Sequence, residues 1–427
     1  MGWKQKIIGL AIAFTLGLTV ANLATDSWLS WQVGTIKSDL WAFSQRFEPD
    51  FTSSKTAASD SEMLTAGIFP PPTETSTETD DIFARSNFFP LGWYDSVDNL
   101  ATPARIANEG IDFIVPYTGK SDVKAVRAYL DRAAAAGMKV MVEIPRLEVR
   151  RDHRWLIAQF VRALKNHPAV YGWYLFDEPE FMQISPRLLK RVYGAIKAED
   201  PQHTVAICFG KLKNVREYLP ALDTAMYFRY PCYADSANCG FADGSFREFI
   251  TEAAAVSQEE DNFWLVLQGY GEDKYGKPRH NRQLPSRLQE RYMIYTAVLG
   301  RVNGLLFWTH YLSQPQWIEG VLTPLLAELK GYLPAIMNYY SAVPQAVASE
   351  AQIQTEVFRH PQTGALLLVA INHSDRDLTP QIQLQPRIGV NSARVMTEDR
   401  ELTLEAAGLT DRFAPFTVHI YQLEARN

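Results

Sequence analysis

The chain has 427 residues, too many for one ordinary small domain, and 47% of them are hydrophobic, enough for a sizeable core. Its net charge of −6, with acidic and basic residues interspersed, argues against a nucleic-acid partner, which requires a basic surface. The content of 10 Trp and 19 Tyr favours stacking of aromatic rings on flat apolar faces of a ligand.

The first 25 residues resemble an export segment. Lys4 and Lys6 precede an apolar run from Ile7 to Ala24, which is the order of charge and hydrophobicity in a signal peptide. The run is also long enough to remain as a membrane span with the lysines in the cytoplasm. Residues 1–25 therefore predict an exported protein, either secreted or anchored in a membrane that the uncleaved segment would contact.

Residues 26–85 separate this segment from the rest of the chain. Their first part carries scattered Trp and Leu residues, and the stretch from Thr52 to Arg85 is rich in Ser, Thr, Pro, Asp and Glu. Such a composition cannot bury enough apolar surface to fold by itself. We interpret the region as a membrane-proximal segment followed by a disordered linker.

Residues 86–340 alternate between short apolar runs and longer segments with helical periodicity. The predicted strands are Phe88–Tyr94, Ile111–Tyr117, Lys139–Ile144, Val170–Phe176, Thr204–Phe209, Thr224–Arg229, Phe263–Gln268 and Leu305–Trp308. The predicted helices are Val97–Asn108, Asp122–Ala136, Arg154–Asn166, Pro186–Glu199, Val215–Leu222, Gly244–Glu259, Pro285–Val302 and Gln316–Met337. This alternation of strands and helices indicates an α/β fold. Its eightfold repetition predicts a (β/α)8 barrel, with a doubly wound open sheet as the alternative.

Residues 341–427 change to the two-residue periodicity of antiparallel strands. The predicted strands are Ile353–Arg359, Ala365–Asn372, Leu378–Leu384, Ala393–Thr397 and Phe416–Leu423. They indicate a small all-β sandwich without chemistry of its own.

The fourth predicted strand ends in two adjacent carboxylates, Asp177 and Glu178, followed by Pro179. Ionised groups are costly to desolvate, so a buried strand has no structural use for them at its tip. The carboxyl ends of barrel strands are where active sites form. We therefore predict that this pair lies in an active site.

The other strand ends supply carboxylates, aromatic rings and amides. The predicted substrate-binding residues are Trp93, Asp95, Tyr117, Arg229, Tyr230, Gln268, Tyr270, Trp308 and His310, and Glu143 joins Asp177 and Glu178 as a predicted catalytic residue. The set includes no Ser–His pair, and the histidines are scattered, so neither a metal nor a cofactor is predicted. Paired carboxylates with aromatic platforms are typical of glycoside hydrolysis, which makes a carbohydrate the predicted partner.

The run Gly172-Trp173-Tyr174-Leu175-Phe176-Asp177-Glu178-Pro179 resembles the fourth-strand motif of barrel glycoside hydrolases of the large retaining clan, which ends in Asn-Glu-Pro. The resemblance implies that Glu178 is the general acid/base. It also implies that Trp308 floors the subsite at the scissile bond and that Tyr230 lies beside the nucleophile.

Two departures from the clan's pattern matter. Asp177 replaces its Asn, and Gln268 stands where the seventh strand should end in the nucleophilic Glu. Three alternatives remain open: Glu272 acts from the next loop, Glu143 activates a water unless it is held in an ion pair with Arg146, or the barrel binds sugar without cleaving it. A structural envelope protein is a weaker alternative.

Three cysteines are present. Cys208 lies inside an apolar strand and is predicted to be buried. Cys232 and Cys239 flank a short loop, and they form either a disulfide, as an oxidising compartment would permit, or two free thiols.

Overall fold

The computed structural model describes residues 88–424, except residues 101, 120–121, 258–262, 273–276, 278–279, 339–342, 386–388, 399 and 406–407. The predicted export segment and linker lie outside the described residues. Within the described part of the chain, no helix is both long enough and apolar enough to cross a membrane.

Eight parallel strands within the described residues close into a barrel, in sequence order. They are β1 (Leu91–Ser96), β2 (Phe113–Tyr117), β3 (Lys139–Glu143), β4 (Val170–Asp177), β5 (Thr204–Phe209), β6 (Thr224–Phe228), β7 (Phe263–Gln268) and β8 (Gly304–Trp308). Pairing of β1 with β8 completes the ring. The predicted (β/α)8 barrel is thus confirmed over the open-sheet alternative.

Helices surround the barrel, and most of them bury one face, whereas Arg287–Leu299 is buried on all sides from Glu290 to Leu299. They are α1 (Thr102–Asn108), α2 (Val123–Ala135), α3 (Arg146–Arg150), α4 (Arg154–Leu164), α5 (Pro186–Glu199), α6 (Ser245–Ser257), α7 (Arg287–Leu299) and α8 (Thr323–Ile336). A short helical segment, Pro315–Trp317, and a π-helical turn, Ile318–Leu322, lead into α8. The side chain of Asp122 caps the start of α2, and Ser286 with Gln289 forms a capping box on α7.

The predicted helix Val215–Leu222 is wrong. The chain instead forms two 3₁₀ turns, Val215–Glu217 and Leu219–Ala221. Pro220 has no N–H to donate to a carbonyl one turn earlier, so it interrupts an α-helix at this point. The short helix α3, directly after β3, was not predicted.

Aromatic rings fill the amino-terminal end of the barrel. Phe113 lies edge-on to Trp264 with ring centroids 5.3 Å apart, and Tyr171 contacts both rings. Gly304 leaves room for the Trp264 ring, since a Cβ there would lie 3.0 Å from it. This plug leaves the carboxyl end of the barrel as the end where a ligand can enter.

The carboxyl-terminal domain consists of two antiparallel sheets packed as a sandwich, as predicted. Its strands are β9 (Gln345–Ala348), β10 (Ile353–Arg359), β11 (Leu366–Asn372), β12 (Gln381–Gln385), β13 (Ser392–Val395), β14 (Arg400–Thr403), β15 (Gly408–Thr410) and β16 (Val418–Glu424). The sheet orders are β10-β11-β16-β13-β14 and β15-β12-β9. The sequence prediction missed β9, β14 and β15, which have only three or four residues each.

The sandwich shares its hydrophobic core with the barrel. Phe358, Val369, Phe416 and Ile420 belong to the same buried cluster as the barrel strands. A second, smaller cluster lies between the two sheets.

Candidate active site

Aromatic side chains from four strand ends, those of β2, β6, β7 and β8, meet over the carboxyl end of the barrel. The ring of Trp308, at the end of β8, stacks on Tyr230 with centroids 5.8 Å apart and planes inclined by 22°. Tyr270 meets Trp308 edge-on at 4.7 Å. Trp308 Nε1 donates to Tyr117 Oη at 3.0 Å, which joins β8 to β2. Trp308, Tyr230, Tyr270 and Tyr117 therefore form one aromatic wall of the site.

Asp177, at the end of β4, connects this wall to the acidic groups. The hydroxyl of Tyr117 donates to Oδ2 at 3.3 Å, and that of Tyr174 donates to Oδ1 at 2.7 Å. Arg146 Nη2 forms an ion pair with Oδ2 at 3.2 Å. These three contacts hold the Asp177 carboxylate in place. Its side chain is still 17% exposed, so part of it remains accessible.

Glu178 follows β4 in a left-handed backbone conformation, with φ of 54°. A non-glycine residue adopts this region at a cost, and such strain concentrates at functional sites. The Glu178 N–H donates to the Cys208 carbonyl at 2.9 Å, which ties the turn to β5. The backbone thus fixes the direction in which the carboxyl group leaves the strand.

The pKa of Glu178 is raised to about 8. Burial is the largest cause, and the negative charges of Asp177 and Glu180 add to it, while Arg146 acts in the opposite direction. A carboxyl group with this pKa is protonated at neutral pH. It can therefore act as a general acid.

Glu143 forms an ion pair with Arg146, which is the alternative role that the sequence left open for it. It is 2% exposed, and Arg146 Nε lies 2.5 Å from Oε1. Oε2 accepts from the Thr118 N–H at 2.6 Å and from the Thr118 hydroxyl at 3.1 Å. A carboxylate with both oxygens bound in this way is poorly placed to activate a water, and we assign Glu143 to positioning Arg146.

Gln268 is fully buried rather than directed at a ligand. Its amide nitrogen lies within hydrogen-bond distance of the carbonyls of Cys232, Tyr270 and Gln283, and its oxygen accepts from the Cys232 N–H at 3.0 Å. The prediction that Gln268 contacts the substrate is therefore corrected, because main-chain groups bind both the oxygen and the nitrogen of its amide. Gln268 anchors the loops after β6 and β7.

A disulfide joins Cys232 to Cys239 within the β6 loop. Since Gln268 binds both main-chain groups of Cys232, the disulfide loop and the end of β7 are held together. Cys208 is buried without a disulfide partner.

Two predicted ligand contacts on β1 lie beneath the surface. Trp93 is fully buried against Phe307, and a Cβ on Gly269 would come within 2.4 Å of its ring. Asp95 is also fully buried and accepts from the Tyr129 hydroxyl at 2.8 Å, which turns it toward α2. Strand alternation explains both errors, because side chains near a strand end point inward or outward according to a register that a single sequence leaves open.

Two further predicted contacts point away from the aromatic wall. His310 is 6% exposed and lies 3.1 Å from Glu109, beside the Trp93 ring. Arg229 is exposed, with its guanidinium 5.7 Å from the ring centroid of Phe249 on α6. Neither side chain is placed to contact a ligand over Trp308.

Three solved structures are similar to this chain over almost their whole length. The α-amylase of Geobacillus thermoleovorans, solved with acarbose, has a TM-score of 0.53 and 8% identity, over 79% of this chain and 99% of that one. The maltogenic α-amylase AmyB of Thermotoga neapolitana has 0.52 and 10%, over 80% and 100%. AmyP, solved with maltotriose, has 0.51 and 9%, over 82% and 100%. The chain thus has the same overall fold as these proteins.

Sequence comparison adds nothing to this assignment. No protein-family model matches the sequence, and no curated protein sequence is similar to it. The likeness to these proteins is therefore one of fold.

Three residues of the candidate site were absent from the predicted set. Arg146 pairs with both Glu143 and Asp177, Tyr174 donates to Asp177, and Glu180 accepts from the N–H groups of Gly210 and Lys211 at 2.6 and 3.0 Å. A signal existed for Tyr174, because a tyrosine inside an otherwise apolar strand needs a partner for its hydroxyl. Among the described residues, no group of His, Cys, Asp and Glu side chains is arranged to hold a metal ion.

Proposed function

We propose that this protein hydrolyses O-glycosidic bonds of an oligo- or polysaccharide, with Glu178 as the proton donor. The supporting observation is a carboxyl group with a pKa of about 8 at the carboxyl end of a glycoside hydrolase-like barrel, beside stacked aromatic rings. At neutral pH this group carries the proton that a leaving glycosidic oxygen requires.

The aromatic wall suits a sugar ring. Trp308 stacks on Tyr230 with one face and donates its Nε1–H to Tyr117, which leaves its other face as the flat apolar surface; Tyr230 itself is stacked on both Trp308 and Phe228. A pyranose presents C–H groups on one face and hydroxyls around its rim, so it can pack on the Trp308 ring and bond to Asp177 or Tyr117. This arrangement supports a carbohydrate over a small charged substrate.

The predicted export segment and the disulfide support an activity outside the cytoplasm. A bond such as Cys232–Cys239 persists in oxidising compartments. We propose that the chain acts there, tethered through residues 1–25 or released from them, on glycans of the cell envelope or its surroundings.

The test compares wild type with Glu178→Gln on a panel of aryl glycosides and cell-wall glycans. We expect the variant to lose about a hundredfold or more in kcat, since it cannot donate the proton. The matched control is Glu217→Gln, an exposed glutamate in the turns after β5, which should retain wild-type activity. Glycan binding without turnover in the wild type would contradict hydrolysis and favour a carbohydrate-binding barrel.

A further inference from the structure

Three large apolar side chains are exposed on one side of the carboxyl end of the barrel. Leu147 and Trp155 follow β3 and Met182 follows β4, and their exposed fractions are 52%, 63% and 42%. They belong to the loops and first helical turns after the neighbouring strands β3, β4 and β5, residues 144–155, 178–187 and 210–217, which we call the β3–β5 edge. Exposed apolar side chains that cluster in this way mark an interaction surface.

Contacts between the three loops make the β3–β5 edge one surface. Arg191 on α5 pairs at 3.0 Å with Asp152, which lies in the turn between α3 and α4. The Lys211 N–H donates to Glu180, and Lys211 Nζ lies 4.5 Å from the ring centroid of Phe181. The segments after β3, β4 and β5 are therefore held together beside the carboxylate pair at the end of β4.

The β3–β5 edge is basic, although the chain as a whole is acidic. It contains eight Lys or Arg residues and five Asp or Glu residues, a formal charge of +3, whereas the whole chain carries −6. Its exposed basic side chains include Arg150, Arg151 and Arg154 after β3 and Lys211 and Lys213 after β5. Apolar side chains surrounded by cations are complementary to a partner that is both anionic and apolar.

We propose that the β3–β5 edge binds an anionic lipid surface, with its apolar side chains among the lipids and its basic side chains at the head groups. Trp155 suits this position because an indole has an apolar ring and a polar N–H, and Trp is enriched where membrane meets water. The aliphatic side chains of Leu147 and Met182 have no flat face on which a sugar could stack. They favour lipid over an acidic polysaccharide as the occupant.

Binding at this edge holds the site against the lipid surface, because the loop after β4 carries both Met182 and the proposed proton donor Glu178. Glycans carried at a membrane are then the ones within reach of the site. An exported chain, as residues 1–25 predict, meets such a surface. The inference concerns binding and does not depend on hydrolysis.

The first measurement maps the contact in the full-length protein. Lysines are modified with an amine reagent in the presence of phosphatidylglycerol vesicles, phosphatidylcholine vesicles, heparin or no addition, and the modified sites are identified by mass spectrometry. We expect phosphatidylglycerol alone to slow the modification of Lys211 and Lys213 severalfold, since it brings anionic head groups over them. Lys139, exposed at the amino-terminal start of β3, is the internal control and should react equally in every case.

The second measurement removes charge from the edge. Arg151→Glu combined with Lys213→Glu should lower the affinity for phosphatidylglycerol vesicles about 30-fold or more, because each Lys or Arg near an anionic surface contributes about fivefold. The matched control is Lys139→Glu combined with Lys330→Glu, which makes the same change of charge at the amino-terminal end of the barrel, where Lys330 pairs with Asp112 directly before β2. It should bind as wild type does.

The third measurement removes apolar surface. Trp155→Ser should weaken binding to the same vesicles about tenfold, because a large ring no longer enters the lipid. Leu288→Ser is the control, since Leu288 is 67% exposed in the first turn of α7 and lies outside the β3–β5 edge. Circular dichroism melts verify that every variant is folded.

Each contrary result has a definite meaning. Unchanged modification of Lys211 and Lys213, or equal slowing by both lipids, would overturn the proposal. Slowing that increases with protein concentration without vesicles would identify a second copy of the chain as the occupant, and equal slowing by heparin would identify an acidic polysaccharide. An equal loss of affinity in Trp155→Ser and Leu288→Ser would remove the β3–β5 edge from the role assigned to it. The hydrolase proposal stands or falls separately, on Glu178→Gln.

Discussion

Burial and nearby charges together set the pKa of the Glu178 carboxyl group, and hence the pH range in which it can donate a proton. Burial raises this pKa most, Asp177 and Glu180 raise it further, and Arg146 lowers it. The general acid must be protonated to act. On the alkaline side of the pH–rate profile, kcat/KM should therefore stay constant up to about pH 8 and fall at higher pH. A pH–rate profile on an aryl glycoside measures this limb directly.

The variant Glu180→Gln tests whether the charge of Glu180 contributes to the raised pKa of Glu178. The variant removes one negative charge near Glu178 while its amide oxygen can still accept from Gly210 and Lys211. We expect the alkaline limb to move to lower pH, because the protonated form of Glu178 is less favoured. A limb that stays in place would mean that Glu180 does not act on Glu178 through charge.

Glu178 should also make the fold less stable at alkaline pH. The folded protein keeps this proton up to about pH 8, whereas the ordinary value is 4.5, so above about pH 4.5 the unfolded state binds fewer protons than the folded state. The stability contributed by this group therefore decreases as the pH rises from about 4.5 to 8.

Glu178→Gln, which stays neutral, should consequently unfold at a temperature higher than wild type by about 2 °C or more near pH 8.5. Near pH 4 the two proteins should unfold together. Circular dichroism melts at both values provide the comparison, and an identical difference at the two pH values would contradict a titration effect.

At the scale of elements, β4 and β5 pack so closely at Gly172 that one added methyl group should destabilise the barrel. A Cβ on Gly172 would lie 2.5 Å from the main-chain oxygen of Thr204. Since backbone cannot yield as a flexible side chain does, we expect Gly172→Ala to destabilise the barrel by about 1–3 kcal/mol. Urea unfolding followed by tryptophan fluorescence measures the change.

Gly194 provides the matched control. It lies inside α5, and a Cβ there would meet no atom within 4 Å. Gly194→Ala should stabilise the protein by about 0.5–1 kcal/mol, because alanine loses less backbone freedom in a helix. Equal effects of the two substitutions would show that the contact at Thr204 relaxes without cost.

The barrel strands were predictable because apolar runs of similar length alternate with amphipathic helices throughout residues 86–340. The failure at Val215–Leu222 comes from a proline whose position forbids an α-helical bond. The short sandwich strands β14 and β15 carry too few residues to produce a two-residue period, and only their pairing with β13 and β12 defines them.

At the scale of the whole molecule, Arg291 connects two barrel helices to the sandwich. Arg291 on α7 pairs with Glu328 on α8 at 2.8 Å, with both side chains 10% exposed, and it also donates to the Val418 carbonyl of β16. Arg291→Met leaves Glu328 buried without its cation. We expect a loss of about 3–5 kcal/mol, measured by urea unfolding.

The exposed pair of Arg412 and Asp377 is the control for that substitution. Their side chains are 76% and 54% exposed, and Arg412→Met should cost less than about 1 kcal/mol. Because the domains share one buried cluster, we also expect the Arg291 variant to unfold in a single transition. A separate early transition of the sandwich would contradict that coupling.

The sequence alone determined the order of strands and helices, the change to a β domain near residue 341, and the pair of carboxylates at the end of β4. These features depend on periodicity and composition, which are local properties of the chain. The tertiary structure decided which side chains share the site: it placed Tyr117, Tyr230, Tyr270 and Trp308 together. It also buried Trp93, Asp95, Gln268 and His310 and paired Glu143 with Arg146. The physical reason is that strand register and barrel closure set the direction of each side chain, and a pKa such as that of Glu178 depends on neighbours brought together only by folding.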